Sequence, residues 1–320
     1  MYVTLTDKLT GANLAKWQEL LRLGGLEAEQ LPQKTVLVWE EETLIATGSR
    51  EDNLLKYIAV HPDYQGQDLT STILSALRQD AFQAGHSHLF LYTKPQNEWM
   101  FTSLFFYPIA KTDKVLLMES KQNGIGSFLD SLPAEKKGEK VGSIVMNGNP
   151  FTKGHQHLVE TAAKECDHVY IFVLSEDKSQ FSAKDRLEMA KLGTAHLPNV
   201  TVLPTGPYLI SSATFPTYFL KDRESAVQVQ CHLDIEIFTK YFVPKFSVTH
   251  RYVGTEPFSP MTKAYNEALK ERLNITLREV PRLEEKGVAI SASAVRKTQD
   301  FDTLRDLLPE TTLSYLQKED

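Results

Sequence analysis

Apolar residues fall at Leu14, Trp17, Leu20 and Leu21, a helical spacing, and Leu23-Gly24-Gly25 ends the pattern. The period then shortens. Thr35–Trp39 and Thr43–Thr47 read as strands about the acidic turn Glu40–Glu42, and Leu54–Val60 as a third. A loop over His61–Gln67 leads into a helix over Leu69–Ala84. His88–Thr93 and Lys114–Glu119 read as strands, with a short helix over Asn97–Phe106 between them. Residues 121–140 break the rhythm. They hold Asn123-Gly124-Ile125-Gly126, one helical turn over Ser127–Leu132, and a charged run, Pro133–Lys140. From Val141 strands and helices alternate. Strands are predicted at Val141–Met146, Val169–Leu174, Val200–Leu203, Ser247–Val253 and Ile275–Val280. Helices are predicted at His155–Cys166, Lys184–Leu197, Ala226–Phe242 and Met261–Leu273, with short ones over Ser293–Thr298, Phe301–Leu308 and Thr311–Gln317. Such alternation predicts a parallel sheet covered on both faces. The expected organisation is a smaller α+β domain over 1–120, a linker over 121–140 and an α/β domain over 141–320.

Composition agrees with two globular domains: 320 residues, 42% apolar and 24% charged. A net charge of -6 argues against a nucleic-acid partner, while leaving room for a local basic pocket. Cys166 and Cys231 are the only cysteines, which fits a reducing compartment better than a disulfide scaffold. No secretory apolar region opens the sequence and no run reaches membrane-spanning length. The expectation is a cytoplasmic protein with no membrane partner.

The candidate chemistry begins where the first strand of the α/β domain ends. Gly148 and Gly154 let the backbone approach an anion, and Pro150 stiffens the turn. The helix that opens at Gly154–His155 presents unpaired N–H groups and the positive end of its dipole. Thr152 adds a hydroxyl and His155 a ring N–H. Ligands on parallel sheets sit at the carboxyl ends of strands, where this turn lies. A second stretch, Ile290-Ser291-Ala292-Ser293-Ala294-Val295-Arg296, offers Ser293 as an N-cap and Arg296 as a planar guanidinium in the first helical turn. Taken singly, each stretch is equally an ordinary capped helix.

Together, Thr152-Lys153-Gly154-His155 and Ile290–Arg296 resemble the paired (His/Thr)-x-Gly-His and Ile-Ser-x-Ser-x-x-Arg motifs of the nucleotidyltransferase superfamily. That resemblance implies a Rossmann-like fold and ATP as substrate, with Mg²⁺ as its counter-ion and no metal cage in the protein. It implies Thr152, His155 and Arg296 as catalytic residues. It implies Gly148, Asn149, Phe151, Gly154, Ser291 and Ser293 as ATP contacts. Gly254-Thr255-Glu256 ends a later strand and either contacts the nucleotide or is a plain turn. Arg186 either adds charge to the pocket or pairs with Asp185 or Glu188.

The first domain resembles the Gcn5-related acetyltransferases through Ala59-Val60-His61-Pro62-Asp63-Tyr64-Gln65-Gly66. It departs from them at Asp68 and Thr70, where small residues are expected, and at Phe101, near the usual general-acid tyrosine. A carboxylate at Asp68 would repel a pyrophosphate, so acetyl transfer from acetyl-CoA is not expected.

Over nearly its whole length the chain resembles the citrate lyase ligases. Gly142–His155, Ile210–Pro216 with Tyr218-Phe219-Leu220, and Tyr252–Pro257 carry this likeness. It implies that ATP and acetate give acetyl-AMP, and that the acetyl group passes to the phosphoribosyl-dephospho-CoA thiol of the acyl-carrier (gamma) subunit of citrate lyase. Ser211, Ser212 and Phe215 would then line the acetate pocket, unless their stretch is a packed loop. Two alternatives remain open at the level of sequence. One is an adenylyltransferase for a phosphate ester such as phosphopantetheine. The other is a non-catalytic carrier-binding regulator.

Overall fold

The structure, a computed structural model, describes residues 1–134, 138–176, 179–209, 215–220, 223–255, 260–285, 288–298 and 300–317. It divides into two compact units. The first comprises Met1–Gly124 with Pro216–Val229, and the second Ile125–Phe215 with Gln230–Asp320. Residues 216–229, placed in the second domain by strand–helix alternation, thus pack with the first unit. Among the described residues no helix is long and apolar enough to cross a membrane. Cys166 and Cys231 are buried free thiols.

The first unit is built on seven strands: β1 (Tyr2–Thr6), β2 (Lys34–Glu40), β3 (Thr43–Glu51), β4 (Leu54–Val60), β5 (Phe90–Thr93), β6 (Tyr107–Lys111) and β7 (Leu116–Glu119). Their order is β1-β2-β3-β4-β5-β7-β6. Helices α1 (Gly11–Leu23), α2 (Leu69–Gln83) and α3 (Glu98–Ser103) complete it. Apolar strand positions such as Val36, Val38, Ile45 and Leu55 meet Ile73, Leu74 and Leu77 of α2 in one core. β1 and β6 escaped the sequence reading. Each is a short edge strand, and β1 is largely exposed, so neither carries a clean alternation of period two.

β4 and β5 are parallel and pair only at Leu54↔Phe90 and Leu55↔Leu91. Beyond that point they part. Tyr57 takes a positive φ of 56°, and the β3–β4 register shifts nearby. The parting leaves a cleft of about 770 Å³, lined by Ile58, Val60, Tyr92, Lys94, Trp99 and Tyr218 among others. Asp68 lines it too, at the left-handed residue (φ 56°) just before α2. Phe101, near the expected general-acid position, is buried against Phe106.

The second unit opens with α4 (Gly124–Asp130), which begins at the last residue of the first unit. The expected linker therefore carries a helix: Ile125 and Leu129 are buried, and Phe128 packs 5.4 Å from the Tyr208 ring. Then come β8 (Val141–Met146), α5 (Lys153–Glu165), β9 (His168–Val173), α6 (Ala183–Thr194) and β10 (Val200–Pro204). α7 (Arg223–Ile237), which belongs to the first unit up to Val229, and α8 (Val243–Phe246), joined by a wide turn over Phe238–Phe242, lead to β11 (His250–Gly254), α9 (Pro260–Arg272) and β12 (Thr276–Val280). A two-residue pair, β13 (Glu284–Glu285) and β14 (Val288–Ala289), precedes α10 (Ala292–Val295), α11 (Phe301–Leu307) and α12 (Glu310–Leu316).

The main sheet runs β10-β9-β8-β11-β12 and is parallel throughout. β9 explains why. All six of its residues are buried. Val169, Ile171 and Val173 join the core that holds Val159 and Ala162 of α5 and Met189 of α6. Phe172 packs edge-on against Phe238, Phe242 and Phe246, and Tyr170 packs tilted against Phe246. A strand covered on both faces is what a parallel sheet between helical layers requires. The fold class read from the sequence is the one observed.

Candidate functional site

β8 feeds a turn whose backbone is set by Gly148, at φ +60°. A Cβ there would find space, with Met146 Sδ at 3.8 Å, so conformation rather than crowding selects glycine. The turn ends at Thr152, the N-cap of α5. Thr152 and His155 form a reciprocal capping box. The Thr152 hydroxyl accepts from the His155 backbone N–H at 3.3 Å, and the Thr152 backbone N–H donates to His155 Nδ1 at 3.0 Å.

This box decides the chemistry of the ring. Nδ1 is an acceptor from a backbone N–H, so it carries no proton. In the neutral imidazole the proton therefore sits on Nε2, which is left as a donor. Burial, and after it the positive charge of Arg282, pushes the His155 pKa down to about 4. At neutral pH the side chain is a fixed N–H donor.

Phe151 holds the ring in place. It is fully buried and stacks on His155 with ring centroids 5.7 Å apart and planes 26° apart. Phe151, expected as an ATP contact, has 0% exposure and lies behind the His155 ring. Thr152 has 1% exposure, and its hydroxyl is engaged in the capping box. Gly193 of α6 makes room for Phe151, since a Cβ there would lie 2.4 Å from the Phe151 ring. Gly193→Ala is expected to cost about 1–3 kcal/mol by overpacking. It should also lower turnover roughly 10-fold or more by shifting the ring that backs His155. Urea unfolding and steady-state rates measured on one preparation check both, and unchanged turnover would break the proposed link.

The second motif lands on the same turn. Arg296 Nη1 donates to the carbonyl of Asn149 at 2.6 Å, across 147 positions of sequence. Its Nη2 donates to Ser293 Oγ at 3.3 Å. The cap differs from expectation. Ser291, not Ser293, is the N-cap of α10, accepting from Ala294 N–H at 3.1 Å. Ser293 is exposed and serves Arg296 instead. Gly154 lets the two motifs touch, because a Cβ on it would stand 3.3 Å from the Ile290 carbonyl.

Arg186 takes a different part from the one expected. It has 0% exposure and donates to the carbonyls of Phe181, Asn147, Leu174 and Glu176 and to Asn147 Oδ1. It braces the chain after β8 against the chain after β9. Asn149 Oδ1 adds to that brace by accepting from Phe181 N–H at 3.2 Å.

At the end of β11, a Cβ on Gly254 would meet nothing within 4 Å. Thr255 follows, and its carbonyl and hydroxyl both accept from Arg282. Glu256, Ser211 and Ser212 lie outside the described residues, and Phe215 is buried. Arg282 was missed by sequence reading. Its one available signal was position, just past the carboxyl end of a predicted parallel strand. Among the described residues no group of three His, Cys, Asp or Glu could hold a metal ion.

Similarity to known proteins covers both parts of the chain. Residues 141–316 match the family described as citrate lyase ligase C-terminal domain. Residues 12–101 match the acetyltransferase (GNAT) family. The citrate (pro-3S)-lyase ligase of Klebsiella pneumoniae is 38% identical over 312 residues, covering 93% of this chain and 91% of its own. That of Escherichia coli K12 is 35% identical over 327 residues, covering 98% and 93%. Among solved structures, Escherichia coli ElaA is 11% identical, covering 38% of this chain and all of its own at a TM-score of 0.32.

Proposed function

Because the chain belongs to the citrate lyase ligase family, we propose that it activates citrate lyase by acetylating the thiol of that enzyme's acyl-carrier subunit at the expense of ATP. The observation that supports this reading most is the Arg296–Asn149 bond, which brings a guanidinium to the turn that ends in the neutral Nε2–H donor of His155.

In the first step an acetate oxygen attacks the α-phosphorus of ATP. The bond from that phosphorus to the bridging oxygen of the β-phosphate breaks, and pyrophosphate leaves with the electron pair. No protein nucleophile is needed. The work of the site is to hold the phosphates and neutralise the charge that develops on them. His155 donates Nε2–H, Arg296 supplies charge, and the N-terminus of α5 supplies its dipole. Magnesium bound to the triphosphate would supply further positive charge against the phosphates. In the second step the carrier thiol sulfur attacks the acetyl carbonyl. A carbon–sulfur bond forms, AMP leaves from the carbonyl carbon, and the thiol proton goes to solvent.

The cleft between β4 and β5 gives the carrier's thiol arm a place on the first unit. Its walls mix apolar and polar surface, and strand backbone that is unpaired between β4 and β5 offers partners to an amide-bearing chain. Asp68 at its rim disfavours a pyrophosphate there. Trp99 stands 75% exposed along it. Trp99→Ala should leave the fold intact, raise KM for the carrier protein roughly 10-fold, and leave acetate-dependent exchange of pyrophosphate into ATP unchanged. Equal KM values for the variant and the parent would remove the cleft from the pathway.

The decisive test of the whole reading is AMP release in the presence of ATP, acetate and the thiol form of citrate lyase, with each omitted in turn. Release that needs all three is expected. Pyrophosphate exchange supported by a phosphate ester and not by acetate would replace the reading with an adenylyltransferase. No AMP under any condition would favour a non-catalytic carrier-binding role.

A further inference from the structure

The sheet of the second unit changes direction between β8 and β11. From β8 the chain steps outward to β9 and β10, then returns to add β11 and β12 on the other side. In open parallel sheets that switch point, at the carboxyl ends of the strands, is where ligands enter. Here the two strands also part. They pair only at His250↔Gly142 and Arg251↔Ser143, although β8 continues through Met146 and keeps its register with β9. At the end of β11 a Cβ on Gly254 would meet nothing within 4 Å, so the parting is open there.

Arg251 is the last paired residue of β11, at the floor of the parting, and is 2% exposed. Its neighbour Tyr252 belongs to the core shared with α5. Arg251 therefore faces the other side of the sheet, where its guanidinium lies 4.5 Å from the Phe238 ring centre. Nε and Nη1 of Arg251 have no hydrogen-bond partner among the described residues. Burial pushes the guanidinium down from its usual range, and Tyr265 and Asp234 act the other way. Asp234 Oδ2 itself accepts from the Tyr265 hydroxyl at 2.6 Å. The Phe238 ring offsets part of the cost of burying a cation, yet it supplies no acceptor for the two nitrogens. Buried donors without acceptors are costly until a ligand supplies them.

We propose that Arg251 anchors the carboxylate of acetate, and that the parting between β8 and β11 is the pocket for this acceptor. The inference rests on the adenylation reading and deepens it by placing its smallest substrate. One guanidinium beside one aromatic ring suits a short aliphatic monocarboxylate, whose charge meets the first and whose methyl group meets the second. In-line displacement puts the acceptor and the leaving pyrophosphate on opposite sides of the α-phosphorus. α5 packs on one face of the sheet and Arg251 lies on the other, which is the disposition that reaction needs. One acetate oxygen stays on Arg251 while the other bonds to phosphorus, and pyrophosphate leaves with the electron pair.

Acetate-dependent exchange of pyrophosphate into ATP by the full-length protein tests it. Arg251→Met should raise KM for acetate roughly 10-fold or more and change KM for ATP by less than about 2-fold, since a charge-assisted contact to the carboxylate is lost. Its urea midpoint should match or exceed that of the parent, because an apolar chain replaces a buried charge with unused donors. Arg251→Lys keeps the charge and should fall between the two in KM for acetate. If the methionine variant does not fold, the lysine variant decides by the same two KM values. An unchanged KM for acetate would overturn the inference, and so would an equal rise for ATP, which would mark Arg251 as a support of the sheet. Wild-type protein that shows no exchange with acetate would overturn the adenylation reading itself. Exchange that needs acetate but is untouched in Arg251→Met would overturn this inference alone.

Discussion

Replacing His155 with alanine is expected to lower turnover by about two to three orders of magnitude, the usual effect of losing one preorganised donor to a developing anion. The expectation follows from proton placement. Thr152 N–H occupies Nδ1, so the only ring proton is on Nε2, and burial keeps a second proton off. A neutral donor in a fixed position costs no reorganisation as charge develops on the phosphate. Alanine also strips the partner from Thr152 N–H, which should cost about 1 kcal/mol of stability through the broken cap. His155→Gln separates the two effects. A glutamine three residues after the N-cap can rebuild the capping box, so stability should return while turnover stays low. A glutamine variant with near-parental turnover would remove His155 from the chemistry.

The same group makes a pH prediction. The folded-state pKa of about 4 lies below the ordinary histidine value of 6.5, so the folded protein binds fewer protons than the unfolded chain between those pH values. Stability should therefore fall as pH drops from about 6.5 towards 4, and the decline should be shallower in His155→Gln. Because the ring stays neutral above about 4, it should put no limb near pH 6.5 on the kcat profile. Such a limb, abolished in the glutamine variant, would contradict the proton assignment.

Arg296→Ala should have an effect of similar size, about two to three orders of magnitude in turnover, for a different reason. Arg296 is exposed, so its loss should change stability by no more than about 0.5 kcal/mol. What is lost is the guanidinium that spans the Asn149 carbonyl and Ser293 Oγ while keeping its charge at the turn. Lysine should rescue poorly, because one ammonium cannot reproduce a planar fork with two acceptors already engaged. Near-parental rates for Arg296→Ala would show that the second motif is a capped helix and nothing more.

Several parts of this molecule are written in local pattern. The strand at Val141–Met146, the glycine turn and the amphipathic helix behind it follow from residues that are neighbours in sequence. So does the capping box, since Thr152 and His155 are three positions apart and meet across one helical turn. The alternation of strands with helices after Val141 is enough for a parallel sheet, because its strands must be apolar on both faces and their crossovers need helices. Thus the fold class and the turn that carries Thr152 and His155 are legible in the sequence.

Other assignments belong to contacts between residues far apart in the chain. Phe151 and Gly193 are adjacent only once α6 packs on α5, and that packing sets the Phe151 ring against His155. Arg186 carries the same charge in either role. Only the convergence of four backbone carbonyls on it makes it a buried brace. Segment 216–229 follows the α/β rhythm in sequence, yet Tyr218 packs 4.6 Å from the Tyr57 ring in the first unit. Arg282 shows nothing in its own neighbourhood that separates it from a surface arginine. Periodicity and capping act over a few residues, and so they write secondary structure and single turns into the sequence. Burial, and the company a charge keeps, depend on which distant segments pack together, and so only the tertiary structure could say which of these arginines and aromatics face the site and which stand behind it.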